Sequence, residues 1–140
     1  MTPPPRTAMV LAAGYGERLR PLTLDKPKPL LPVAGEPVIH KVLKLLKREG
    51  FERAVINLHY MGDMIRESVG DGSEFGMEII YSEEPQLMGT GGGIKAAERR
   101  LCHDTFLVIN ADVLTDAPLS DIWRYHNCLL YTSDAADELD

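Results

Sequence analysis

The chain has 140 residues, of which 44% are hydrophobic and 26% charged, a composition ordinary for one globular domain. Its formal net charge of −6 argues against broad electrostatic binding to nucleic acid, so a polyanion would have to bind at a local basic cluster. No apolar run approaches the roughly 20 residues that cross a membrane. Residues 1–6 lack the apolar segment of a signal peptide, which favours the cytoplasm.

Four apolar runs along the chain predict strands, and they alternate with segments of helical spacing. The predicted strands are 7–12, 53–58, 77–81 and 105–109, and the predicted helices are 37–50, 61–69, 91–101 and 119–126. This alternation indicates an α/β fold, a Rossmann-like parallel sheet with helices on both faces. Ligands bind at the carboxyl ends of the strands in such sheets, so we expect the loops after strands one, three and four to converge there.

Two segments fall outside this alternation. Residues 14–37 contain five prolines without a clear period, and a loop of that length in a compact domain usually serves a function. Residues 128–140 resemble the translation of a sequencing adapter read through the edge of a gene fragment; the alternative is an acidic, disordered terminus. We therefore predict a domain over 1–127, a non-native tail over 128–140, and a fold cut short after its fourth strand.

The segment after the first predicted strand is the first candidate for ligand binding. Gly14 and Gly16 allow backbone N–H groups to approach an anion without obstruction by a Cβ atom. Four basic residues follow against two acidic ones, namely Arg18, Arg20, Lys26 and Lys28 against Glu17 and Asp25. A positive loop at the carboxyl end of a strand suits a triphosphate, whereas the structural alternative is a tight turn with solvated charges.

Two better-known glycine motifs do not fit this segment. A dinucleotide-binding fingerprint needs a third glycine that opens a helix, but Leu19 occupies that position and Pro21 follows. A P-loop needs Gly-Lys-Ser/Thr at its end, which is absent. The cysteines and histidines show no metal-ligand spacing.

Three further features carry candidate chemistry. Lys28 lies between two prolines that reduce the entropy lost when its ammonium group is held on a phosphate. The glycine-rich segment 88–94 opens a predicted helix, whose N–H groups favour an anion or a polar base edge. Asp112 follows the fourth strand, where a carboxylate can hold Mg²⁺. The respective alternatives are a solvated lysine, a flexible connector and a helix or turn cap.

Taken in order, Leu11–Arg20, Lys28–Pro32, Gly89-Thr90-Gly91 and Asp112 resemble the sugar-1-phosphate nucleotidylyltransferases. The resemblance covers residues 8–125 and makes 1–127 the nucleotide-binding part of such an enzyme. It is greatest to bacterial enzymes that act on mannose 1-phosphate or N-acetylmuramate 1-phosphate. The implied substrates are a nucleoside triphosphate and a sugar 1-phosphate, and the implied cofactor is Mg²⁺; the base, the sugar and the oligomeric state stay open.

The resemblance also implies a role for each matching residue. Leu11, Ala12, Ala13 and Gly14 would face the base and ribose, and Gly89 and Thr90 would help to bind the nucleoside. Gly16 and Arg18 would hold the departing phosphates, Lys28 would lie beside the α-phosphate, and Asp112 would ligate Mg²⁺. Arg18 and Lys28 are thus the expected catalytic residues.

The chain departs from the family pattern at three places. Glu17 replaces a frequent threonine, and Asn110-Ala111-Asp112 replaces the usual Gly-Asp pair. Glu84 falls where several relatives place a base-reading glutamine, and an ionised glutamate cannot donate that hydrogen bond. A non-catalytic nucleotide sensor on the same fold is the rival to a transferase, and Leu19 and Pro21 disfavour a dinucleotide-dependent oxidoreductase.

Overall fold

The computed structural model describes residues 5–101 and 105–127 and has a parallel sheet at its centre. In chain order the strands are β1 (Thr7–Leu11), β2 (Pro32–Val33), β3 (Glu36–Pro37), β4 (Arg53–Leu58), β5 (Glu78–Glu83) and β6 (Phe106–Asn110). The helices are α1 (Val38–Arg48), α2 (Gly62–Val69), α3 (Gly89–Ala96) and α4 (119–127). All four predicted strands and all four predicted helices are therefore present.

The central sheet has the order β5-β4-β1-β6, with every neighbouring pair parallel. From β1 the chain adds β4 and β5 on one side and then returns to place β6 on the other. In open α/β sheets such a reversal of strand order creates the crevice in which ligands bind.

Helices cover both faces of the sheet, as the sequence predicted. On one face, α1, α2 and α4 pack against inward side chains of β1 and β4, including Val10 and Ile56, which are fully buried. On the other face, Met9 and Val55 pack against α3 and the turn that follows it. The alternation of faces along each strand explains why β1 and β4 are almost continuously apolar.

Residues 14–37, for which the sequence predicted a long loop, contain short regular elements. Three 3-10 turns cover Glu17–Leu19, Leu22–Leu24 and Lys28–Leu30, and β2 and β3 form a small hairpin. Ala34 and Gly35 connect the hairpin with φ values of 50° and 87°, the positive angles that a tight two-residue turn requires. Elements of two or three residues are too short to produce a hydrophobic period.

Two element boundaries differ from the prediction. Helix α3 begins at Gly89 and ends at Ala96, although the sequence predicted 91–101, because residues 97–101 form turns. Strand β5 extends to Glu83, two residues beyond the predicted end, so Glu84 directly follows it. The predicted tail 128–140 lies outside the described residues. Within the described parts of the chain, no helix has the length and apolar character needed to cross a membrane.

Candidate active site

A crevice of about 300 Å³ lies at the carboxyl ends of β1 and β6 and reaches the start of α3. It brings together nine of the residues that the sequence predicted for the site: Leu11, Ala12, Ala13, Gly14, Gly16, Lys28, Gly89, Thr90 and Asp112. Five other residues complete its lining, namely Pro29, Asn57, Leu87, Asn110 and Ala111. The expected convergence of three loops on one cleft is therefore present.

The charged centre of the crevice is an ion pair between Lys28 and Asp112. Nζ of Lys28 lies 2.6 Å from Oδ2 of Asp112, and the two side chains are 40% and 31% exposed. Lys28 opens a 3-10 turn between the buried Pro27 and Pro29, which restrict the backbone on either side of it. Asp112 follows β6, whose ladder to β1 is extended by the Ala111 N–H donating to the Leu11 carbonyl oxygen.

Gly16 marks a point where the loop after β1 closes tightly on itself. Its φ is 65°, and a Cβ atom there would lie 2.8 Å from Cγ2 of Thr23 and 3.2 Å from Cβ of Lys28. The fully buried Thr23 donates a hydrogen bond of 2.7 Å to the Gly16 carbonyl oxygen. The Tyr60 hydroxyl donates to the Thr23 carbonyl oxygen in turn, at 2.6 Å. A side chain at Gly16 would therefore require Thr23 or Lys28 to move.

A second set of contacts holds the tip of the same loop. The ring of Tyr15 lies edge-on to His59, and its hydroxyl is 2.9 Å from Nε2 of that histidine. Nδ1 of His59 lies 2.8 Å from the Glu84 carbonyl oxygen, so it carries the proton and donates. In the neutral ring Nε2 then accepts from Tyr15. His59 therefore connects the first loop to the end of β5.

The amino end of α3 forms the opposite wall. Gly89 and Thr90 begin the helix, and no side chain caps it. Gly89 has a φ of 73°, and a Cβ atom on Gly89 or Gly91 would meet open space. Uncapped N–H groups and the positive end of the helix dipole favour an anion or an electronegative base edge at this wall.

Arg18 and Glu84, the remaining two predicted site residues, do not line the crevice. Arg18 lies in an exposed 3-10 turn two residues after Gly16, and its side chain has no hydrogen bond or ion pair within the described parts of the chain. Glu84 is only 3% exposed, and its carboxylate accepts hydrogen bonds from Asn57 and from the Met88 N–H. The exposed Arg18 side chain can therefore turn toward a ligand, whereas the Glu84 side chain is buried outside the crevice lining.

Asn57 is the functional candidate that the sequence analysis missed. It is 3% exposed, lines the crevice, and accepts a hydrogen bond of 2.7 Å from the Ala12 N–H. The sequence feature that could have identified Asn57 is its position as the single amide within the apolar strand Arg53–Leu58. A buried polar residue in such a strand needs specific partners, and those partners lie far away in sequence.

Comparisons with known proteins identify the family. A sequence model of the nucleotidyl transferase family matches residues 7–129. An N-acetylmuramate alpha-1-phosphate uridylyltransferase of Neisseria meningitidis is 53% identical over 110 residues, which are 78% of this chain and 48% of that protein. A mannose-1-phosphate guanylyltransferase of Mycobacterium tuberculosis is 41% identical over 119 residues, covering 85% and 33%. The chain thus spans at most about half the length of these relatives.

Solved structures show the same fold. HddC from Yersinia pseudotuberculosis, in complex with GMP-PN, superposes with a TM-score of 0.77 and 28% identity over 86% of this chain and 53% of its own. A UDP-glucose pyrophosphorylase complexed with UDP-glucose superposes with a TM-score of 0.72 over 88% of this chain and 54% of its own; at 21% identity it supports the fold alone. The strand order, the crevice and the family match together lead to one conclusion: this chain belongs to the nucleotidyl transferase family.

Proposed function

We propose that the protein joins a nucleoside triphosphate to a sugar 1-phosphate, forming a nucleoside diphosphate sugar and pyrophosphate. The observation that supports this most is the 2.6 Å contact between Lys28 and Asp112 in the crevice at the reversal of strand order. The ammonium group of Lys28 would bind a phosphate there, and the carboxylate of Asp112 beside it would bind a metal ion, both facing the uncapped start of α3. The cytoplasm is the compartment that we propose for the reaction.

The reaction makes few chemical demands on the protein. A sugar 1-phosphate carries a nucleophilic anionic oxygen near neutral pH, because the second pKa of a phosphate monoester is about 6. That oxygen bonds to the α-phosphorus, and the bond from the α-phosphorus to the bridging oxygen of pyrophosphate breaks, with pyrophosphate retaining the electron pair. No general base or covalent enzyme intermediate is needed. Positioning and charge stabilisation account for most of such catalysis.

The residues of the first loop suit these demands. The N–H groups around Gly14 and Gly16 would bind phosphate oxygens. Arg18, whose side chain has no partner among the described residues, would hold the β- and γ-phosphates that depart as pyrophosphate. Lys28 would exchange the Asp112 carboxylate for an oxygen of the α-phosphate or of the sugar phosphate. Leu11–Gly14 and Gly89-Thr90, on opposite walls, would enclose the nucleoside.

Asp112 fits a magnesium ion that takes most of its ligands from the substrate. Among residues 5–101 and 105–127, no cluster of three or more histidine, cysteine or acidic side chains could hold a metal by itself. Mg²⁺ commonly binds through one or two carboxylates, phosphate oxygens and water, and the partly exposed Asp112 can provide one such ligand. When bound there, the ion would offset negative charge on the phosphates.

Pyrophosphate release measured with UTP and GTP, each in the presence of mannose 1-phosphate or N-acetylmuramate 1-phosphate, tests the proposal. We expect release that requires the sugar phosphate, Mg²⁺ and one preferred triphosphate. Tight nucleotide binding without pyrophosphate release would instead support the non-catalytic sensor. Failure to bind any triphosphate would contradict the proposal that the crevice is a nucleotide site.

A further inference from the structure

Asn57 and Glu84 form a buried chain of hydrogen bonds that links the two walls of the crevice. The Ala12 N–H donates to Oδ1 of Asn57 at 2.7 Å, and Nδ2 of Asn57 donates to Oε2 of Glu84 at 2.7 Å. Oε1 of Glu84 accepts a longer hydrogen bond of 3.4 Å from the Met88 N–H. Both side chains are 3% exposed, so water does not replace these partners.

The two ends of this series of hydrogen bonds lie in the two segments that would face the nucleoside. Ala12 belongs to the loop that leaves β1, and Met88 directly precedes Gly89 and Thr90. The register of the sheet explains the first link, because Asn57 of β4 pairs with Leu11 at the end of β1. A hydrogen-bonded path therefore connects Ala12 to Met88 through two side chains, across 76 positions of sequence.

The packing around the pair leaves little freedom. A Cβ atom at Gly93 would lie 2.8 Å from both Nδ2 of Asn57 and Oε2 of Glu84, so α3 lies directly on the pair. The main chain of Glu84 is held as well, since its N–H donates to the Leu58 carbonyl oxygen and its own carbonyl oxygen accepts from His59. A change at either side chain would therefore shift α3 relative to the first loop.

We infer that Asn57 and Glu84 are positioning residues that set the width of the nucleoside site, and that Glu84 does not read the base. This inference rests on the proposed function. Glu84 occupies the position at which the family resemblance suggested a base-reading side chain, but both of its carboxylate oxygens are bonded inside the protein. Any influence of this position on the nucleotide passes through Ala12 and Met88.

The order of donors and acceptors along this series of hydrogen bonds determines which pairs of side chains can form it. Backbone N–H donors stand at both ends, so the two side chains between them must present three acceptors and one donor. An amide at Asn57 and a carboxylate at Glu84 meet this condition. Two amides would leave a donor facing a donor in every orientation, and two carboxylates would place like charges in contact. Exchanging the two groups, with a carboxylate at 57 and an amide at 84, satisfies the condition again.

The test is a cycle of Glu84→Gln, Asn57→Asp and the double variant, assayed for kcat and KM with UTP and GTP and for the thermal midpoint. The matched control is Glu83→Gln, which changes an exposed neighbour that pairs with Arg66. Each single variant should raise the KM for both nucleotides about tenfold, the effect of one unsatisfied buried group, and lower the midpoint. The double variant should recover most of both losses, and the ratio of UTP to GTP efficiency should stay constant.

Two results would overturn the inference. A double variant no better than the sum of the single variants would show that the two groups are not bonded partners. A changed preference between UTP and GTP in Glu84→Gln, with an unchanged thermal midpoint, would assign Glu84 to base reading. If the unaltered protein bound no triphosphate, the proposed function would fail, whereas recovery of the thermal midpoint in the double variant would still show the bonded pair.

Discussion

The amino and carboxyl ends of the central sheet use charged side chains in different ways. At the amino end, Arg6 donates to the Glu49 carbonyl oxygen and to the Ser120 hydroxyl, and its guanidinium lies 6.0 Å from the ring centre of Trp123. These contacts join the start of β1 to α4 and to the end of α1. The charge at this end is used within the fold, which is the pattern expected of residues that stabilise a structure.

At the carboxyl end, the fold leaves cations available. The side chains of Arg18, Arg20 and Lys26 have no hydrogen bond or ion pair with any described residue, and all three are exposed. Lys28 pairs with Asp112 but stays 40% exposed. A protein with a net charge of −6 thus keeps a local excess of positive charge where its ligand crevice opens. The difference separates cations that stabilise the fold from cations that, on the proposed function, would bind a substrate.

The strongest test of this difference removes one cation at each end. Lys28→Ala, and Arg18→Ala in a second variant, should lower kcat/KM by on the order of 10²–10³, because each removes charge stabilisation from the transition state. Lys47→Ala, at the amino end, should leave the rate near that of the unaltered protein. The measurement is steady-state pyrophosphate release. Equal losses in Lys28→Ala and Lys47→Ala would contradict the comparison.

Asp112→Asn should reduce the rate by about 10² and raise the Mg²⁺ concentration required for half-maximal activity, because an amide is a weaker ligand than a carboxylate. Asp116→Asn alters the same loop at an exposed position and serves as the control. Rates measured across a magnesium titration provide the test. An unchanged magnesium requirement in Asp112→Asn would remove this residue as the metal ligand.

Arg6→Met should affect stability and leave catalysis intact. Loss of its hydrogen bonds should lower the free energy of unfolding by about 1–2 kcal/mol, since methionine retains part of the packing against Trp123. Arg124→Met, on the exposed side of α4, should change it by less than about 0.5 kcal/mol. Urea unfolding and the KM for nucleotide should be measured on the same samples. A large rise in KM without loss of stability would place Arg6 in the site.

The smallest expected effect concerns the pH dependence of stability at Tyr81. Burial raises the pKa of the Tyr81 phenol, the nearby Arg66 opposes this and Asp71 adds to it. The folded state therefore keeps the proton to higher pH than the unfolded state. The resulting stabilisation is complete below the unfolded pKa of about 10 and is lost as the pH rises through the raised folded value. Unfolding measured from about pH 9 to 11 should show a shallower decline in Tyr81→Phe; an identical slope would contradict this assignment.

Local sequence patterns were sufficient to predict much of the fold. Apolar runs separated by helical spacing predicted every strand of the central sheet, because burial on both faces demands such runs. The motifs at Gly14–Gly16, Lys28, Gly89 and Asp112 predicted most of the crevice, since parallel strands bring their carboxyl ends to one edge. The hairpin and the 3-10 turns within 14–37 were missed because their elements are too short to show a period.

The sequence by itself determined the succession of strands and helices, the positive first loop and the family to which the chain belongs. Only the tertiary structure decided the partners of Asn57 and Glu84, which the register of β1, β4 and β5 brings together from segments 27 and 45 residues apart. It also placed Glu84 outside the crevice lining, with its carboxylate bonded to Asn57 and to the Met88 N–H. Periodicity records which face a residue occupies, whereas a hydrogen bond between distant strands depends on strand order and register, which no local pattern contains.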